Sequence, residues 1–292
     1  MSQDYLPEKF TQRSASAATC EIAVVKIGGS ILTNAKAYRR AAIFVRDMLR
    51  SNSEERIVVV VSAQEGTTDN LERTAKTIHD EPNSAARDLL WSTGEIRSVA
   101  LLSLHLESLG VRAAALNIHE AGLILPEVEF HGGREAGRIH LHGGRLSGVL
   151  ADFPVAVVPG FFATNSASQI VSLGRGGSDL TAVLLAEGLR ACRCELIKDV
   201  PGYFTADPHR DSAARHIPFL SFEQAISMAQ DGCNLVQRQA IEAAARCGIP
   251  LVIRSVQKDT SASRIAHALT PAEQVMDEGS VVEVVGFESM TD

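Results

Sequence analysis

Three glycine-bearing segments carry residue types suited to handling phosphate, and each follows an apolar run. The first is Lys26-Ile27-Gly28-Gly29-Ser30. Adjacent glycines let backbone N–H groups approach phosphate oxygens with no Cβ in the way, and Lys26 offers a cation to the same oxygens. A Gly-Gly turn after a strand is common, so this segment decides nothing alone. The second, Leu173-Gly174-Arg175-Gly176-Gly177-Ser178-Asp179, opens a helical pattern. Ser178 or Asp179 would cap that helix, whose positive end would face whatever the loop holds. Arg175 adds a planar fork suited to a carboxylate, which a capped turn has no need of. The third runs Lys198-Asp199-Val200-Pro201-Gly202-Tyr203-Phe204-Thr205-Ala206-Asp207-Pro208. Its Pro-Gly and Asp-Pro turns suit either a plain long loop or a nucleotide-binding one. Neither G-x-x-x-x-G-K-[ST] nor a G-x-G-x-x-G after the first strand is present, which disfavours a P-loop nucleotidase and a Rossmann dehydrogenase.

Those loops need elements to hold them, and strand and helix patterns alternate almost throughout. Ile22–Ile27 reads as a buried strand ending in Gly28-Gly29, and Ile57–Val61 is the most strand-like segment. Arg112–Leu116, Val155–Val158, Cys194–Lys198 and Leu251–Ile253 follow as strands, the last closing the alternation. Helical spacing covers Ala37–Arg50, Asp69–Asp80, Ser84–Leu109, Ser178–Leu189, Phe222–Gln230 and Leu235–Cys247. Between Glu120 and Gly144 the pattern breaks into glycine, histidine and charge, which reads as an irregular hairpin and loop able to cover a site. The alternation predicts an α/β fold with a mainly parallel sheet covered on both faces. Ligands of such sheets bind beyond the carboxyl ends of the strands, where all three glycine-bearing segments fall.

A chain of 292 residues can form one large domain or two lobes. Its 45% hydrophobic and 22% charged content is that of an ordinary globular protein. The formal charge of −7 argues against nucleic acid as a partner, while locally basic groups could still hold an anion. The five cysteines, Cys20, Cys192, Cys194, Cys233 and Cys247, have no C-x-x-C spacing and are expected to be small buried residues kept reduced. His131, His140 and His142 match no metal-binding spacing, so no protein-held metal site is predicted. Met1–Thr19 lacks the apolar core of a signal peptide, and no apolar run approaches the roughly 20 residues that span a bilayer. The expectation is a soluble, cytoplasmic protein with no membrane partner.

Further short pieces stand around the three loops: Val61-Ser62-Ala63 with Thr68, Gly94-Glu95, Val158-Pro159-Gly160-Phe161, and Thr181-Ala182 after Asp179. In this order the set resembles the amino-acid kinase superfamily, most closely the aspartokinase catalytic domain, over about Ala23–Ser255. Each piece is modest; the ordered set is specific. The resemblance implies a three-layer αβα sandwich using ATP and Mg²⁺ on an amino-acid substrate, as a homodimer or higher homo-oligomer. It divides the chain into a polar extension (1–19), an acceptor lobe (about 20–155), a nucleotide lobe (156–257) and a short tail (258–292). The tail could hold a helix near Pro271–Gln274 and a strand Val281–Phe287, too little for the paired ACT regulatory domains of most aspartokinases.

The same resemblance assigns roles. Lys26 would bridge the transferring phosphoryl group, with Gly28, Gly29 and Ser30 at the phosphates and Asp179 as the second catalytic residue. Ser62, Thr68, Glu95 and Arg175 would hold the amino acid, with Phe161, Gly176, Gly177 and Ser178 lining its pocket. Lys198, Asp199, Phe204, Asp207 and Asn234 would serve the nucleotide. The implied reaction is phosphorylation of an aspartate-like side-chain carboxylate to an acyl phosphate. A carboxylate is already nucleophilic at neutral pH, so the difficulty is to bring two anions together.

The chain also departs from that family. Asn234 stands where relatives carry a lysine, Gln237-Arg238 where they show His-Pro, Lys198 where aspartokinases have threonine, and His209 where arginine is frequent. Lys198 could supply the charge Asn234 lacks, or point into solvent and leave a weakened kinase. Two rivals therefore stand: a kinase of another small carboxylate, and a ligand-binding homologue with little turnover.

Overall fold

The structure, a computed structural model, describes residues 22–126, 139–142, 144–174, 176–208, 210–256 and 261–267. The strands are β1 (Ile22–Ile27), β2 (Arg56–Val61), β3 (Ala113–Ala115), β4 (Leu123–Leu125), β5 (His140–Leu141), β6 (Val155–Pro159), β7 (Phe162–Asn165), β8 (Ile170–Ser172), β9 (Arg193–Lys198), β10 (Tyr203–Phe204), β11 (His216–Ile217), β12 (Phe219–Ser221), β13 (Leu251–Ser255) and β14 (Ala262–Ala266). The helices are α1 (Ala35–Ser51), α2 (Thr67–Ile78), α3 (Ser84–Ser108), α4 (Ile118–Ala121), α5 (Arg145–Asp152), α6 (Gly177–Gly188), α7 (Phe222–Gln230) and α8 (Arg238–Cys247).

Eight strands form the central sheet in the order β12-β14-β13-β9-β1-β2-β6-β3. Every neighbouring pair is parallel except β13–β14. The reason is legible in β2, whose Ile57 to Val61 are all fully buried; a strand apolar on both faces must be covered on both. Val58 and Val60 pack into one core with α6, α7 and α8, whereas Ile57, Val59 and Val61 pack into another with α1 and α3. Alternate residues thus feed opposite layers, and the αβα sandwich follows from the period of the strand. A second sheet, β5-β4-β7-β8, lies beside it.

Local chemistry sets the helix starts. Asn34 accepts from the Ala37 N–H at 3.0 Å to cap α1, and Ser221 with Gln224 closes a capping box on α7. Helix α8 begins at Arg238 rather than at the expected Leu235, because the buried side chain of Val236 anchors an extended entry through Gln237.

Other departures are informative. The sheet runs past the boundary expected at 257, since β14 bridges β13 and β12. The stretch read as an irregular hairpin does hold one, the antiparallel pair β4–β5, entered from the end of α4 and followed directly by α5; its residues 127–138, His131 among them, lie outside the described residues. The expected tail elements Pro271–Gln274 and Val281–Phe287 lie outside them too. Cys192 is disulfide-bonded, which corrects the expectation of reduced cysteines throughout, while Cys194, Cys233 and Cys247 are free thiols. Among the described residues no helix is long and apolar enough to cross a membrane.

Candidate active site

Strand register brings the site together. Lys26 of β1 lies beside Leu196 of β9, so the two side chains leave the sheet on the same face. Lys198 stands two residues beyond Leu196 and shares that face. Val24 and Leu196 mark it as the side covered by α6. Asp179, in the first turn of α6, meets both lysines there: Lys26 Nζ lies 2.8 Å from Oδ1 and Lys198 Nζ 2.8 Å from Oδ2.

This cluster is withdrawn from water, with Lys26 only 7% exposed and Asp179 3%. Burial alone would raise the Asp179 pKa, but the charges and hydrogen bonds of the two lysines outweigh it and hold the carboxyl below its usual range. Burial, and secondarily the charge of Lys26, lowers the Lys198 pKa against the pull of Asp179. Two ammonium groups on one carboxylate leave a surplus positive charge, set at the carboxyl ends of β1 and β9 and at the positive end of α6. That is a seat for a polyanion. The alternative that Lys198 points into solvent is overturned, because its side chain is 12% exposed and paired.

Two glycines have a steric reason to be glycine. A Cβ on Gly29 would stand 2.6 Å from the Ala63 carbonyl, so the first loop can pass the strand end only without a side chain. Gly176 has φ +74 and lies against the side chain of Gln237, one of the residues that depart from the family pattern. Gly28 carries the backbone past the ammonium of Lys26, and Ser30 is exposed beyond it.

The residues expected at the acceptor fall into two groups. Glu95, in α3, is 3% exposed; its Oε1 accepts from the Ala63 N–H at 3.3 Å and its Oε2 has no hydrogen-bond partner. Ser62, in the turn after β2, and Thr68, in the first turn of α2, are both half-buried. On the other side Phe161 takes a left-handed φ of 73°, donates its N–H to Thr181 Oγ1 at 3.1 Å, and packs edge-on against Phe162. Gly177 abuts Phe161, and Gly160 abuts the buried Ser178. Arg175 lies outside the described residues.

The nucleotide residues are less gathered. Asp199 and Asn234 are exposed, Phe204 meets the His216 ring edge-on at 5.3 Å, and Asp207 lies 3.5 Å from the Arg210 guanidinium. Among the described residues no group of three His, Cys, Asp or Glu side chains could cage a metal, and both Asp179 oxygens face lysines. A protein-held Mg²⁺ does not fit these residues.

Sequence reasoning missed Arg87, Asp88 and Trp91. Asp88 Oδ2 accepts from the Ser172 N–H at 2.9 Å, tying α3 to β8. The Arg87 guanidinium covers the Trp91 ring at 4.8 Å, and Trp91 lies 6.3 Å from Phe161. The signal was available: Arg87, Trp91 and Glu95 follow one another at four-residue steps, one stripe of a helix.

Glu95 makes a testable stability statement. Burial raises its pKa to about 7 against an ordinary 4.5, partly opposed by the Ala63 hydrogen bond. A carboxyl whose folded pKa is raised contributes stability fully below the unfolded pKa and loses it as pH rises through the folded one. Glu95→Gln, which mimics the protonated form, is therefore expected to gain about 2–3 kcal/mol relative to wild type between pH 5 and pH 8. Urea midpoints at both pH values check this, and a constant difference would refute it.

The family model described as the amino acid kinase family matches residues 21–255. The chain is 32% identical to an aspartokinase of Geobacillus stearothermophilus over 91% of its own length and 66% of the relative's. It is 36% identical to an aspartokinase of Mycolicibacterium smegmatis over 82% of itself and 55% of that relative. The aspartate kinase structure from Synechocystis superposes with a TM-score of 0.74 at 32% identity, covering 85% of this chain and 40% of that one. Aspartokinase III of E. coli, solved in complex with aspartate and ADP, shares the fold with a TM-score of 0.71 at 24% identity. The chain thus spans two thirds or less of the length of these relatives. A match over nearly all the described residues, with the triad and the glycine loops in place, makes this chain a member of the amino acid kinase family.

Proposed function

We propose that the chain transfers the γ-phosphoryl group of ATP to the side-chain carboxylate of aspartate. The bond from the γ-phosphorus to the β-phosphate oxygen breaks, a bond to a carboxylate oxygen forms, and ADP leaves with the electron pair. The observation that carries this reading is the buried Lys26–Asp179–Lys198 cluster with its surplus positive charge. No general base is needed, so the residues act by charge and position.

Lys26 meets oxygens of the moving phosphoryl group, and Lys198 offers the second cation. Asp179 points both ammonium groups at the same place. The free Oε2 of Glu95 suits the acceptor's ammonium, while Ser62, Thr68 and Ser178 offer hydroxyls and Arg175 its fork to the α-carboxylate. Backbone at Gly28, Gly29 and Ser30 and the segment holding Asp199, Phe204, Asp207 and Asn234 flank the nucleotide. Mg²⁺, if bound with the nucleotide, would supply further positive charge toward the phosphates. A cytoplasmic setting follows from the proposed substrates. A homo-oligomer belongs to the same reading.

Hydroxylamine trapping across aspartate, glutamate and shorter or longer diacids tests the acceptor. Aspartate is expected to lead; a preference for another carboxylate would keep the chemistry and change the substrate. The exposed Asn234 favours one rival, a ligand-binding homologue with little turnover, and absence of any hydroxamate would select it.

Lys198→Thr is expected to lower kcat about tenfold, some 1.4 kcal/mol of transition-state stabilisation, because Lys26 remains. Adding Asn234→Lys should recover part of the loss, with a coupling above the ~0.5 kcal/mol of independent sites. Strict additivity in that double-mutant cycle would show that the two positions do not exchange roles.

A further inference from the structure

Helix α3 passes close to the turn after β2. A Cβ on Gly94 would stand 3.0 Å from Ala63 Cβ and 3.1 Å from Thr67 Cγ2, so a position without a side chain lets the helix ride this low. The side of α3 that turns inward carries Arg87, Trp91, Glu95, Ser98 and Leu102, at steps of four and three. Leu102 belongs to the core, and Ser98 is satisfied by the Tyr38 hydroxyl at 2.7 Å. Trp91 and Glu95, one turn apart, each keep a buried polar atom with no hydrogen-bond partner among the described residues, the indole Nε1 and the carboxyl Oε2. The first can only donate, and the second, when ionised, can only accept. A buried indole N–H ordinarily has a partner. The Trp91 ring, half-buried as a whole, is already engaged by protein: the Arg87 guanidinium lies over it at 4.8 Å and Phe161 is tilted against it at 6.3 Å. Asp88 holds Arg87 at 3.3 Å and accepts from the Ser172 N–H at 2.9 Å, which fixes this end of α3 against β8.

We infer, on the reading that an aspartate-like amino acid is the acceptor, that Trp91 is a further acceptor-binding residue. Its indole N–H donates to the α-carboxylate of the amino acid whose ammonium meets Glu95 Oε2. The family resemblance assigns Trp91 no role. Four residues of helix rise about 6 Å. Two hydrogen bonds of about 3 Å each, one on either side of a single amino-acid head group, span that distance. A donor and an acceptor so spaced match an ammonium and a carboxylate carried on one carbon, and match neither an inorganic anion nor a plain diacid. A carboxylate has lone pairs for more than one donor, so the indole adds to the Arg175 fork rather than replacing it. Away from water, a hydrogen bond to a charged group is at its strongest. Stacking of a nucleotide base is disfavoured, because Arg87 already covers the ring.

Trp91 is the chain's single tryptophan, so its fluorescence reads the site directly, with no nucleotide or turnover involved. Aspartate titrated into the full chain is expected to change the emission saturably. Trp91→Phe keeps a ring beside Arg87 and Phe161 but has no N–H. Calorimetry should show it binding aspartate about tenfold more weakly than wild type does. β-Alanine has the same ammonium and the same reacting carboxylate but no α-carboxylate, and the two proteins should bind it equally. A packing role alone would weaken both ligands alike. The fluorescence arm stands even if Trp91→Phe does not fold. Emission unmoved by aspartate would overturn the inference, and so would equal losses for aspartate and β-alanine. A chain that binds aspartate with these signatures but forms no acyl phosphate would sink the transfer reading and leave Trp91 in the acceptor site.

Discussion

Asp179→Ala is expected to abolish turnover and to remove about 3–5 kcal/mol of stability. The carboxylate is 3% exposed and lies 2.8 Å from each of two lysine ammonium groups. Removing it leaves two like charges facing each other away from water, and stripping one partner from a buried ion pair costs that much. Against a total of about 5–15 kcal/mol the loss is large enough to read directly in a urea transition. Because the Asp179 pKa is held below its usual range in the folded protein, its contribution is present above that range and is lost as pH falls through the depressed value. The stability gap between wild type and variant should therefore be full at neutral pH and close in acid. A variant within about 1 kcal/mol of wild type at pH 7 would mean that the lysines find other partners.

Lys26→Ala should lower kcat by about 10²–10³ while the protein remains folded. Asp179 keeps Lys198 as a partner in this variant, so no buried charge is orphaned. The loss falls on charge that develops on the phosphoryl oxygens in transit, and only interactions stronger in the transition state change kcat. ATP affinity should change far less than the rate. Turnover within a few-fold of wild type would remove Lys26 from the chemistry.

Much of this arrangement was legible in the sequence, and the parts that were not have physical causes. The run from Ile57 to Val61 announced a buried parallel strand, and its two-sided burial bears that out. Lys26, Asp179 and Lys198 were visible by type and loop position, but their meeting depends on register, Lys26 beside Leu196, which neither residue reveals alone. Strand β14 stayed hidden because its core includes a fully buried serine. Ser263 is satisfied by distant partners, accepting from the Tyr203 N–H and donating to the Ile217 carbonyl, and such a residue reads as loop until those partners are known. The short strands β4, β5, β7 and β8 are too brief to establish a period. Trp91, inside a long helical stretch, carries no signal by type alone; only its four-residue step to Glu95 marks the face that turns inward.

The most direct test of the central claim, that a buried Lys–Asp–Lys cluster drives phosphoryl transfer to a carboxylate, is ³¹P NMR of the enzyme with ATP, Mg²⁺ and aspartate. The γ-phosphate signal is expected to fall as an acyl-phosphate signal grows in step with ADP, with no such growth for Lys26→Ala under the same conditions. ATP consumed to give inorganic phosphate alone, or an acyl phosphate that Lys26→Ala forms as fast as wild type, would contradict it.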